Sequence, residues 1–185
     1  MNLNYKHLGM YLVVGIVSGL LFHFSNIIHI DLMFFGTNFT SAIILGIMIL
    51  LAGRYISGIT PRNPWLNPLV LILGCGIGWF LNHEFRGGDC YRYWCVIEAG
   101  IFGGFFVGIG LVIAWRLKRI WMIIMLTTLA GGLGGLVLGY VFWNHLVWKS
   151  SSYIEVLSQI TWPSILLLGI GIAIQIDSPK SSIEE

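Results

Sequence analysis

Gly108-Ile109-Gly110-Leu111-Val112-Ile113-Ala114-Trp115-Arg116 is apolar through its first eight residues and closes on a cation. Gly46-Ile47-Met48-Ile49-Leu50-Leu51-Ala52-Gly53-Arg54 carries the same pattern, and a weaker copy stands at Gly169-Ile170-Gly171-Ile172-Ala173-Ile174-Gln175-Ile176-Asp177. The steps between copies are 62 and 61 residues. In the third copy Gln175 replaces Ala and Asp177 replaces the terminal Arg. The apolar segments that contain these copies are continuous and about twice as long as barrel strands, which run to about 10 residues and alternate apolar with polar, so they read as membrane helices.

Composition agrees. The 185 residues are 57% hydrophobic and 10% charged, against about a quarter charged in soluble domains. A formal charge of +2 gives no footprint for nucleic acid or an acidic partner. A membrane span needs about 20 mainly apolar residues. Such segments run from Leu8 to Asn26, Met33 to Tyr55, Trp65 to Asn82, Trp94 to Trp115, Ile120 to Trp143 and Ile160 to Ile176. The reading is an all-α polytopic membrane protein of six transmembrane helices in one domain, with the lipid bilayer as its first partner.

The odd spans have their own recurrence. Gly15 and Gly19, Gly74 and Gly78, and Gly135 and Gly139 are each spaced by four and followed by large apolar residues, at steps of 59 and 61. Two series of nearly one period predict three tandem two-helix hairpins, about 8–60, 65–118 and 120–177, arranged with pseudo-threefold symmetry about the membrane normal. Gly100, Gly104 and Gly108 form one face of the fourth span, and Gly131, Gly135 and Gly139 one face of the fifth. In lipid, small residues supply the close backbone approach that holds helices together, so these two faces are expected to pack on each other.

Lys and Arg set the orientation. With a cytoplasmic N-terminus, Lys6, Arg54, Arg62, Arg116, Lys118, Arg119 and Lys180 fall inside and Arg86, Arg92 and Lys149 outside. The excess predicts both termini in the cytoplasm, as in a bacterial inner membrane or its equivalent. Met1 to His7 is too short and too weakly basic for a signal peptide, so the first span is expected to be retained.

Candidate functional residues gather at the outer end. Glu98 is the only acid within a span, and a charge in the hydrocarbon costs about 2.5 kcal/mol or more at the centre. It reads either as a proton or cation site or as an interfacial carboxylate paired with Arg86 or Arg92. His23, His83 and His145 fall one per odd span, but at 4, 5 and 6 residues beyond the last Gly of each. Each extra residue turns a helical side chain by about 100°, which argues for interfacial histidines rather than a shared metal site. Cys90 and Cys95 lie close together at the outer end of the fourth span, where an oxidising compartment permits a structural disulfide. Cys75 reads as a small buried residue.

No G-x-S-x-G, H-E-x-x-H or P-loop occurs, and no cofactor or metal is implied. Two functions fit these residues. One is a transporter or channel component for a small solute or ion, with Glu98, His23, His83 and His145 around an outward vestibule. The other is an accessory or assembly subunit, packing through glycine faces against its own copies or other membrane proteins.

Overall fold

The structure is a computed structural model and describes residues 3–28, 33–34, 37–38, 40–59, 63, 65–84, 93–148 and 152–177. Among the described residues it is all-helical apart from one small hairpin. Six helices follow in order: α1 (Tyr5–Ile27), α2 (Thr40–Ile56), α3 (Leu66–Glu84), α4 (Tyr93–Trp115), α5 (Ile120–Trp148) and α6 (Ser152–Asp177). Segments within α1, α4, α5 and α6 are long and apolar enough to cross a membrane, while the corresponding apolar stretches of α2 and α3 are shorter.

Each helix packs on its neighbours in sequence, and α1 closes the circle against α6. The closest approaches are those between α4 and α5 and between α1 and α6. All six helices feed one buried cluster, through Tyr11, Ile49, Leu71, Leu111, Ile123 and Ile170. Their outer flanks are apolar and exposed, as at Val13, Ile47, Leu73, Phe102 and Leu129. α6 is the innermost helix: half of its apolar span is buried, against a third of that of α5.

Three helix boundaries differ from the sequence expectation. α2 starts at Thr40 rather than near Met33, because Met33–Phe34 and Thr37–Asn38 pair as antiparallel strands, Met33 with Asn38 and Phe34 with Thr37. Aromatic and β-branched residues favour a pleated edge, and Asn weakens a helix. α5 continues to Trp148 and α6 begins at Ser152, so most of the segment expected as an outer loop is helical. No Pro or Gly falls in residues 140–148 or 152–161, so neither of the strong helix breakers opposes these two extensions.

The helix ends at the Lys/Arg-rich side are individually capped. Asn4 Oδ1 accepts from the backbone N–H groups of Lys6 and His7 at the start of α1. Asn63 Oδ1 does the same for Trp65 and Leu66 before α3. These are N-caps, satisfying donors that the helix itself leaves unpaired. α5 takes its cap from another helix: the Asp177 carboxylate accepts from Lys118 N at 3.1 Å and Arg119 N at 2.7 Å. Beside it Gln175 Oε1 accepts from Asn4 N at 2.7 Å, and Gln175 Nε2 donates back to Asn4 O. The end of α6 thus ties the start of α1 to the turn between α4 and α5.

That turn is only a few residues long, and Arg116 adopts a left-handed backbone, φ 49°, which ends α4 sharply. α2 ends on Gly58 at φ 65°, with Ile59 N donating to Gly53 O. Gly suits that position because it lacks the Cβ that penalises positive φ.

Candidate functional site

The centre of the bundle is built around Trp162-Pro163-Ser164 of α6. Pro163 lies inside the helix and has no N–H to donate to the preceding turn. The α1 backbone comes closest at this point. A Cβ on Gly15 would overlap Ser164 and the Pro163 carbonyl, and one on Gly19 would overlap Ile160 and the Gln159 carbonyl. On the opposite side, the Trp162 ring fills the space left by Gly103 of α4 and Gly134 of α5. Three helices therefore reach α6 through positions where only hydrogen stands in place of a side chain.

The α4–α5 seam is built the same way. Gly100 lies against Gly131 and Gly135, and Gly104 and Gly108 against Thr127 and its neighbours. Thr127 Oγ1 donates back to Ile123 O and Ile124 O at 2.9 and 3.0 Å. Its hydroxyl is thereby satisfied within its own helix, as a polar group away from water requires. Gly131 and Gly135 lie against Gly100, Gly104, Val96 and Ile97. Gly139 is buried on α5.

Of the outer-end candidates, Glu98 and His23 have described side chains. Glu98 stands near the start of α4 and its side chain is exposed, outside the buried cluster. His23 is half-buried near the end of α1. Its Nδ1 stands 3.2 Å from Gln159 Oε1 of α6, and its ring meets Phe24 edge-on with centroids 6.2 Å apart. With Gln159 Oε1 as acceptor, Nδ1 is the protonated nitrogen in this contact. His83 and His145 belong to α3 and α5 by backbone, but their side chains fall outside the described residues, as does that of Cys95. Cys90 lies wholly outside them. Cys75 is buried and free. Among the described residues no three His, Cys, Asp or Glu side chains gather as a metal site requires.

Three polar features were not singled out from the sequence. Gln159 carries no signal beyond being an amide near a helix entry. Tyr11 OH and Ser57 Oγ are 2.8 Å apart, joining α1 to the end of α2, and the Asn67 amide donates to Ala114 O, joining α3 to the end of α4. Each pins the Lys/Arg-rich end of one helix to its neighbour. One turn below His23, Ser18 is fully buried on α1 and its hydroxyl has no hydrogen-bond partner among the described residues.

Among the described residues the α1–α6 seam carries the His23–Gln159 pair at one end and the Asn4–Gln175 pair at the other. Comparison of the chain with protein-family models, with curated proteins and with solved structures finds no match.

Proposed function

We propose that the chain is an integral membrane protein whose six helices cross the bilayer as three tandem hairpins, and that it serves as a non-catalytic accessory or assembly subunit. The observation that carries the membrane reading is the pair of aromatic ends on an apolar flank. On α5, Trp121 is 76% exposed and Tyr140 62% exposed, with Met125, Leu129, Leu133 and Leu136 exposed between them. Nineteen residues at about 1.5 Å each span roughly 29 Å, close to the ~30 Å of a hydrocarbon core. Tyr5, Tyr55 and Trp65 are exposed at the end that holds Trp121, and Trp94 at the other. Such rings sit at headgroup depth.

Sidedness follows the charges. Lys6, Arg54, Arg116, Lys118 and Arg119 are all exposed at one end of the bundle, and an excess of basic residues marks the cytoplasmic face. In a bacterium this is the inner membrane, with both termini inside.

The accessory role is supported by the filling of that cytoplasmic half. Ile49, Leu71, Leu111, Ile123, Leu166, Ile170 and Ile174 are buried almost completely, so side chains occupy the axis where a solute path would run. A second reading, a small-solute or ion transporter with an outward vestibule, draws on the His23–Gln159 pair at the other end.

Flux measurements on purified protein in liposomes separate the two. The accessory reading predicts proton, monovalent-cation and anion leak no greater than that of protein-free vesicles. Leak above that level which falls with Glu98→Gln or His23→Leu would overturn it in favour of transport.

A further inference from the structure

α1 is held unequally on its two sides. Gly15 and Gly19 bring it onto the α6 backbone, whereas a Cβ on Gly9 would meet nothing within 4 Å. The open side faces α2, the shortest helix, which packs more loosely on α1. Lys6, Gly9, Met10, Val13 and Val14 of α1 and Ile56 of α2 line a groove there of about 520 Å³.

We infer that this groove binds one acyl chain of an anionic phospholipid, with the lipid phosphate held by the Lys6 ammonium group. The inference rests on the membrane reading above. Five of the six lining residues offer only hydrocarbon, thioether or backbone, so a polar solute would lose its water without gaining partners. Lys6 is the one charged residue in the lining. It follows Tyr5, whose exposed ring marks the interface, so its ammonium lies at headgroup depth while the groove runs inward along Gly9, Met10 and Val13. An apolar slot opening on a single cation at that depth complements a tail joined to a phosphate. Arg54, Arg116, Lys118 and Arg119 at the same end add to the field that concentrates anionic lipid there.

Gly9 allows a direct test, since it lines the groove and a Cβ there meets nothing within 4 Å. The protein is extracted from membranes in detergent, and native mass spectrometry follows titration with phosphatidylglycerol or phosphatidylcholine of matched chains. Wild type is expected to hold one phosphatidylglycerol about fivefold more tightly than phosphatidylcholine, as one basic residue near a lipid surface supplies. Gly9→Leu is expected to lose that adduct while unfolding at no lower temperature. Lys6→Gln is expected to bind both lipids equally. Equal binding of the two lipids by wild type, undiminished phosphatidylglycerol binding by Gly9→Leu, or a second copy of the chain in place of lipid would overturn the site. Release of the wild-type chain from membranes by alkaline carbonate would instead overturn the membrane reading beneath it.

Discussion

Gly104 and Gly9 are both helical glycines, and they differ in everything around them. A Cβ at Gly104 would overlap the Thr127 carbonyl, whereas one at Gly9 would meet open space. Gly104→Leu should therefore force α4 and α5 apart, at a cost of about 1–3 kcal/mol or more from overpacking. Gly9→Ala should stabilise by about 0.5–1 kcal/mol through helix propensity alone. Thermal unfolding in detergent, followed by circular dichroism, checks both signs. Spacing marks Gly100, Gly104 and Gly108 as one face of a helix, but only the fold tells which helix covers it. Spacing is blind in the same way to His23. Its distance from the preceding Gly separates it from His83 and His145, yet nothing in the sequence pairs it with an amide 136 residues away. Glu98 attracts notice as an acid in an apolar run, and its exposure is a matter of which way one turn of α4 faces.

The end of α6 gives physical sense to the departures in the third copy of the repeated stretch. Where the other copies have Ala and Arg, this one has Gln175 and Asp177, and these are the two side chains that bind Asn4 and the turn before α5. A basic residue in place of Asp177 would have no lone pairs to offer those N–H groups. Asp177→Ala should cost about 0.5–2 kcal/mol, as loss of a helix cap does, and Asp177→Asn should cost less because an acceptor remains. Unfolding midpoints of the two variants check the order, and Asp177→Lys should be the least stable of the three. Element type and approximate position could be read from apolar run length in α1, α3, α4 and α5. The start of α2 and the entry to α6 could not, because hydrophobicity marks where a helix meets lipid and not where its hydrogen bonds begin. The stretch from 144 to 159 is polar enough to read as a loop, yet α5 and α6 extend into it from both sides.

The six described helices stand in cyclic order around a filled centre and carry an exposed apolar flank, the surface that the proposed membrane reading turns to lipid. The six-helix, all-α plan could be read from composition and run length. The cyclic closure of α1 on α6 could not, since it depends on Gly15 and Gly19 meeting residues 159–164 of α6, 140 or more residues away. The membrane account requires that the basic end and the far end of the bundle lie in different compartments. Lys118 belongs to the first, beside Asp177 and Asn4, and Ile28, exposed at the close of α1, to the second. The most direct test places single cysteines at Lys118→Cys or Ile28→Cys in a chain with Cys75, Cys90 and Cys95 replaced by Ser, and treats intact bacterial cells with a membrane-impermeant maleimide. The account predicts labelling at position 28 in intact cells and at position 118 only after permeabilisation. Labelling of both positions from one side would contradict it.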